Sequence, residues 1–437
     1  MRSSRVWVVV CFGARALLGC ASADAPNPSG EGDVGTQANG GSGGSLTVAG
    51  SAGTAAGGGA NTGAGGSRGG STGSGGSSGG SGGASPGVGG AIAGSGGTSG
   101  GSGGSDHVVR PCDALGKAGV WEDITPKPLV NLGYPAGAIV LDPRDPAVVY
   151  AGSGEGGGLF KSKDCGATWV HINTGQNGAD LDTGRLWDMV IDPTDSQTLY
   201  SVNGYGKDGV WRTKNGGVDW VNTTPDNSNI GQHTNGNFAS IIGMDATNPK
   251  HLVVTYHSGC NGEYGPNCQT ETTDGGDTWR IFKTASGGGE GGGVVVLNAT
   301  TWAVGAYQAF WLTTDSGASW TKASGASAHY QLYQSGGTFY LGTMSGILTT
   351  TDGKTWSLLP GFTEAVQGLT GDGKSLFAGQ QFGNRYFRIP ESNPSKFTEF
   401  PNPDGNKDGG YFMAYDGDHH LLYSAEIPDG FWRMVVP

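Results

Sequence analysis

From about residue 120 onward, the apolar positions of this chain come in short runs rich in β-branched and aromatic residues. Turn-forming residues separate them, a pattern that predicts strands. The runs group into a repeating unit. An apolar strand comes first, as in Ala138 to Leu141 or Trp187 to Ile191. A turn follows, such as DPRDP (142–146), then a second strand, such as VVYAGS (148–153). A third strand, such as GLFKS (158–162) or GVWRT (209–213), leads into a polar turn that ends in tryptophan. A fourth strand is expected to begin at that tryptophan, as in TWVHI (168–172).

The polar turn recurs five times, as SKDCGATW (162–169), TKNGGVDW (213–220), TTDGGDTW (272–279), TTDSGASW (313–320) and TTDGKTW (350–356). A sequence period of this size with fixed turn chemistry marks a propeller or a solenoid. The chemistry is that of a tight hairpin. An Asp carboxylate can accept backbone N–H groups across the turn, Gly supplies positive φ, and Trp packs between neighbouring sheets. The residues in these roles are Asp164 and Trp169, Asn215 and Trp220, Asp274 and Trp279, Asp315 and Trp320, and Asp352 and Trp356. The second turn departs, with Asn215 for the Asp and Asp219 for the Thr or Ser.

The pattern resembles the Asp-box (BNR) repeat of sialidases, xyloglucanases, sortilin and a photosystem II assembly factor. The resemblance implies a β-propeller. Two further units, 375–400 and 421–436, lack a clear box, which makes seven. The last unit stops after its third strand, and Trp121 to Ile124 can supply the fourth. The fold expected is therefore all-β: a single seven-bladed β-propeller of four-stranded blades, closed by the N-terminal strand on the C-terminal blade. Closure removes exposed sheet edges. Cys112 would enter beside Cys165 of the first box, so a Cys112–Cys165 disulfide would bolt the ring. Cys260–Cys268 would staple the loop between strands 2 and 3 of blade 3. An even number of cysteines in an exported domain suits disulfides.

The sequence before the repeats has a different character. Arg2 and Arg5 precede a mostly apolar stretch from Val6 to Gly19, too short to span a bilayer. It ends in Leu17-Leu18-Gly19-Cys20, which resembles a bacterial lipoprotein signal with Cys20 as the lipidated residue. Residues 21–105 contain no aromatic side chain and are dominated by Gly and Ser. Such a stretch cannot bury enough apolar surface to offset its ordering entropy, and its mean reach as a coil is on the order of 50 Å. The expected organisation is a signal (1–19), a disordered tether (20–105) and the propeller (106–437). The chain is expected at the outer membrane or cell surface, as a monomer touching the membrane only through its lipid. The formal charge of −12 argues against nucleic acid as a partner.

Candidate chemistry lies opposite the boxes, on the face built from the inter-blade loops and the loops between strands 2 and 3. Aromatic rings beside carboxylates suit sugar binding, so a polysaccharide or glycan is the expected partner. The binding candidates are Trp187, Tyr205, Tyr264, Tyr330 and Arg385. The catalytic candidates are Arg185, His233, His257, Glu290 and Tyr307. Glycoside cleavage needs two carboxylates about 5–5.5 Å apart for retention, or about 6.5–9.5 Å for inversion. Elimination from a uronic acid needs a His or Tyr base and an Arg near the substrate carboxylate. Xyloglucanases place one catalytic Asp in each of two propellers, whereas this chain has one propeller. The alternative is a non-catalytic adhesion or protein-interaction propeller, and fold alone cannot choose.

Three motifs carry less. Phe387 to Pro390 matches the sialidase arginine motif but aligns with third strands, which places Arg388 away from the axis. Asp404, Asn406 and Asp408 resemble the opening of a calcium loop, yet Tyr415 stands where the closing Glu belongs. No other metal and no organic cofactor is expected. His419 and His420 are expected to be solvated in a turn on the box face.

Overall fold

A computed structural model describes residue 112 and residues 115–437, apart from 227, 235–238, 258, 285–291, 307–308, 326–327, 381–382, 404 and 406–407, and apart from the side chains of 306 and 328–330. Within these residues the chain forms seven antiparallel sheets of four strands. In six of them the strands follow one another in chain order. Blade 1 comprises Ile139–Asp142, Asp145–Gly152, Leu159–Ser162 and Val170–His171. Blade 2 comprises Arg185–Ile191, Leu199–Gly204, Gly209–Thr213 and Val221–Asn222. The inner strand of each sheet touches the inner strand of the next, and Ile139–Asp142 touches Phe412–Asp416 of blade 7, so the ring is closed.

The seventh sheet breaks chain order. Its strands Phe412–Asp416, Leu421–Glu426 and Gly430–Val435 are completed by Trp121–Asp123. The register pairs Trp121 with Met434, Glu122 with Arg433 and Asp123 with Trp432. The N-terminal segment therefore supplies the missing outer strand, as the repeat pattern predicts.

Burial explains the sequence pattern. A second strand such as Val148 to Gly152 is buried throughout, because a neighbouring sheet covers each of its faces. Such strands read as continuous apolar runs, without alternation. Outer strands are short and half-exposed, with Val170 and Val221 open to solvent. Short edges of this kind offer little template for pairing with another chain. They begin one residue after the box tryptophan, at Val170, Val221, Arg280, Thr321 and Ser357, and not at the tryptophan itself as the sequence suggests. In two boxes the tryptophan belongs to the turn, its indole N–H bonding back to it: Trp220 to the Gly217 carbonyl at 2.9 Å and Trp356 to Gly353 at 3.2 Å.

All five repeated turns share one hydrogen-bond plan. In the third, Asp274 Oδ1 accepts the Thr272 hydroxyl at 2.7 Å and the Thr278 N–H at 2.9 Å, while Oδ2 accepts the Thr278 hydroxyl at 2.6 Å. Thr272 Oγ1 in turn accepts the Gly276 N–H at 2.8 Å. Although desolvation opposes it, this set of donors holds the Asp274 carboxyl down to about 2. The departing second turn keeps the plan with roles exchanged. Asn215 Oδ1 takes the Thr213 hydroxyl and the Asp219 N–H, and Asn215 Nδ2 donates to Asp219 Oδ2 at 2.7 Å.

Two of the interfaces between adjacent blades share one grip. In blade 2, Tyr200 Oη and Arg212 Nη1 both donate to the Gly275 carbonyl of the next blade's turn, at 3.1 and 2.6 Å. In blade 7, Tyr423 Oη and Arg433 Nη1 both donate to the Cys165 carbonyl of blade 1, at 3.3 and 2.6 Å. Tyr200 and Tyr423 hold the same place in their second strands, as do Arg212 and Arg433 in their third. The closing interface thus obeys the same rule as an ordinary one. The Cys112–Cys165 disulfide crosses it, and Cys260–Cys268 ties the loop after strand 2 of blade 3 to the start of strand 3.

Candidate functional site

The face opposite the repeated turns is shaped most distinctively at blades 1 to 3. The inner strand of blade 2 carries a bulge between Leu186 and Asp188, so Trp187 is an extra residue. Bulges re-aim side chains. Arg185 pairs with Gly204 across the sheet, which brings the following residue, Tyr205, beside it. Tyr205 adopts a left-handed φ of 58°. Gly206 then passes so near Gly184 that a Cβ on it would sit 2.6 Å from the Gly184 backbone. That close approach fixes the Tyr205 loop over Arg185.

The result is an arginine held among aromatic faces. The Arg185 guanidinium lies 4.4 Å from the ring centre of Tyr134, 4.9 Å from Tyr205 and 5.6 Å from Trp187. Each such contact is worth roughly 0.5–2 kcal/mol, depending on desolvation. His257 stacks against Trp187 with ring centres 6.5 Å apart and meets Tyr205 edge-on at the same distance. Burial holds the His257 imidazole below its ordinary range, which favours its neutral form. His233 meets Tyr264 edge-on at 4.7 Å, in the loop that the Cys260–Cys268 disulfide staples. Among the described residues no carboxylate forms an ion pair with Arg185. Nearby acids are engaged elsewhere: Glu155 accepts the Tyr134 N–H at 2.9 Å, and Asp182 pairs with His171 at 3.2 Å. The arginine plane is packed between rings while its N–H fork has no carboxylate partner among the described residues, which suits a carboxylate-bearing ligand.

One hollow adjoins this corner, and another lies on the axis towards the face of the repeated turns, where Pro143, Pro193 and Ala246 help to line it. Beyond the Tyr205 loop, Asp180, Lys207, Asp208, Trp211 and Asp226 line a groove of about 720 Å³. Along the axis runs a mostly apolar cavity of about 380 Å³ whose polar side chains are Asp188 and Gln331. Gln331 ties three blades together, bonding the Leu369 N–H and both the N–H and the carbonyl of Met413. Asp188 accepts the Met189 N–H at 2.8 Å and the Ile242 N–H at 3.2 Å. Its burial outweighs those bonds and pushes its carboxyl up to about 7.

Of the residues singled out from sequence, Arg185, Trp187, Tyr205 and His257 come together, with His233 and Tyr264 forming a neighbouring pair. Arg385 lies on blade 6 and is taken up by Glu364, at 2.9 Å, and by Glu399. Arg388 lies on the third strand Tyr386–Pro390 and bonds the Pro437 carbonyl. Cys20, Glu290, Tyr307, Asp404, Asn406 and the Tyr330 side chain lie outside the described residues; Asp408 lies within them. Glu426 ends the second strand of blade 7 and is fully buried against the Tyr386 hydroxyl. His419 lies in the expected turn and is partly exposed, but it is also engaged: its Nδ1 lies 2.6 Å from Asp416 Oδ2 and 3.9 Å from Cys165 Sγ, because the turn of blade 7 faces the disulfide. Sequence reasoning missed Tyr134 because it precedes the first blade. It also passed over Asp188, whose signal was an acid inside an apolar strand.

No family model matches the chain, and no curated protein matches it. Solved structures do. The chain is similar to YCF48 from Cyanidioschyzon merolae at 12% identity and a TM-score of 0.50, covering 73% of this chain and 99% of that one. It is similar to the extracellular domain of a hybrid two-component system from B. thetaiotaomicron at 11% identity and a TM-score of 0.53, over 72% of this chain and 41% of that one. An ancestral GH74 enzyme gives 17% identity and a TM-score of 0.49, over 72% and 46%. At such identities the likeness speaks to architecture: the chain is a seven-bladed β-propeller of four-stranded blades.

Proposed function

We propose that this chain is an exported, surface-anchored propeller that binds an acidic polysaccharide, one containing uronic acids, at the Arg185 corner. The observation that carries this reading is the Arg185 guanidinium held over the Tyr134, Tyr205 and Trp187 rings with no acidic partner among the described residues. Aromatic faces suit the apolar faces of sugar rings, and the guanidinium suits a ring carboxylate. The lipoprotein-like ending at Cys20 and the Gly/Ser tether support display at a membrane surface.

His257 favours a second reading, elimination at the same corner. A neutral imidazole could take the proton from the carbon next to the uronate carboxylate. The bond to the leaving glycosidic oxygen would break, giving an unsaturated uronate. A test of both is affinity electrophoresis of the full chain in gels of polygalacturonate or of a neutral glucan, alongside ultraviolet absorbance of the mixture. Retardation by polygalacturonate alone, lost in Arg185→Ala, is the expected result. Loss of a charge-assisted bond and of the stacking should weaken affinity about 10- to 100-fold. A rise in unsaturated-uronate absorbance that His257→Ala abolishes supports the second reading. Equal migration in every gel removes the glycan reading and leaves a protein-interaction propeller.

A further inference from the structure

Three potential ligand atoms converge at the seam where the ring closes, and a carboxylate lies beside two of them. Cys112 Sγ, Cys165 Sγ and His419 Nδ1 lie within 4.8 Å of one another. Asp416 Oδ2 is 3.8 Å from Cys165 Sγ and 2.6 Å from His419 Nδ1. Asp416 and Cys165 are fully buried, Cys112 is nearly so, and only His419 opens to solvent.

We infer that reduction of Cys112–Cys165 converts this seam into a binding site for a thiophilic divalent cation such as Zn²⁺, held by two thiolates, one imidazole and one carboxylate. In a tetrahedral zinc site, bonds of about 2.3 Å to sulfur and about 2.0 Å to nitrogen or oxygen set ligand–ligand edges of roughly 3.3–3.8 Å. The distances from Cys165 Sγ to the carboxylate and the imidazole, 3.8 and 3.9 Å, lie at and just beyond the upper end of that range. Two changes complete the geometry: the freed sulfurs separate, and the imidazole moves back from the carboxylate.

The surroundings hold the ligands in place. Asp416 Oδ1 accepts the Asp418 and His419 N–H groups at 2.9 and 3.1 Å, which aims Oδ2 at the seam. Arg433 and Tyr423 fix the Cys165 carbonyl. Two thiolates and a carboxylate around a dication carry one net negative charge, which the Arg433 guanidinium faces. Outer partners of this kind orient metal ligands.

The chemistry balances. A dithiol reductant gives two electrons and two protons, the bond between the cysteine sulfurs breaks to two thiols, and the reductant becomes a disulfide. The cation then displaces both thiol protons. In an oxidising compartment the seam stays a disulfide; in a reducing one it becomes a metal site.

Cobalt titration of the full chain, oxidised or reduced under argon, tests this. The expected result is one tetrahedral cobalt with thiolate charge-transfer absorption in the reduced chain only. The signal should persist in Cys260→Ser/Cys268→Ser and vanish in Cys112→Ser/Cys165→Ser; Cys11 and Cys20 are common to both variants and cannot account for the difference. His419→Ala and Asp416→Asn should each lower affinity on the order of tenfold or more. Zinc should also raise the melting temperature of the reduced chain and leave the oxidised one unmoved. Equal cobalt binding in all variants, no charge-transfer band on reduction, or loss of the folded circular dichroism signal on reduction with zinc present would each overturn the proposal.

Discussion

At the scale of single residues, the informative side chains are those whose surroundings conflict with their chemistry. Asp188 is the clearest. A carboxyl raised from 3.8 to about 7 in the folded state contributes stability that is fully present below pH 3.8 and lost as pH rises through about 7. Asp188→Asn removes that titration. Thermal melts should show the variant gaining on the parent as pH climbs from about 4 to about 8, by about 4 kcal/mol or a melting-temperature difference on the order of 6 °C. A gap that stays constant with pH would mean that folding does not shift this carboxyl. Arg185 is the opposite case, a half-buried charge whose plane is packed among aromatic rings. Arg185→Lys keeps the charge and loses the planar stacking, so its affinity for polygalacturonate should fall between those of the parent and Arg185→Ala.

At the scale of elements, the repeated turn is where sequence and structure agree most closely. The five turns are legible because each needs a carboxylate, a hydroxyl donor and glycines at fixed offsets. The second turn shows that the plan is chemical, since an amide at 215 and a carboxylate at 219 make the same bonds from exchanged ends. Asn215→Asp should set two carboxylates face to face and cost about 1 kcal/mol or more. Adding Asp219→Thr should restore most of the loss, because it recreates the arrangement around Asp274. Denaturant melts of the three proteins decide this, and a double variant no better than the single one would contradict it. The functional corner was less legible. Loop membership named Arg185, Trp187, Tyr205 and His257, but nothing in spacing revealed that a bulge at Trp187 and the Gly184–Gly206 approach bring them together. Arg385 looks equivalent in sequence, yet its charge is taken up by Glu364 and Glu399; such pairing is a long-range fact with no local signature.

At the scale of the whole molecule, closure and site location are the claims that matter. The seam between blades 7 and 1 uses the Tyr–Arg grip seen between blades 2 and 3, with a disulfide added. Arg433→Ala removes two bonds, to the Cys165 carbonyl and to Glu122 at 2.8 Å, and should cost about 2–3 kcal/mol. Amide exchange should then quicken first at Trp121 to Asp123, the strand that closes the ring. Uniform acceleration across all blades would deny the seam its special role. In the oxidised chain the 53-residue separation of Cys112 and Cys165 is worth about 4 kcal/mol in the chain-entropy picture, so opening that seam should matter more than opening Cys260–Cys268.

The most direct test of the account is hydrogen–deuterium exchange of the full chain with and without an oligogalacturonate. Protection confined to the segments around Tyr134, Arg185 to Trp187, Tyr205 and His257 is the result expected. Protection centred on Arg385 and blade 6, or no change anywhere, would contradict it.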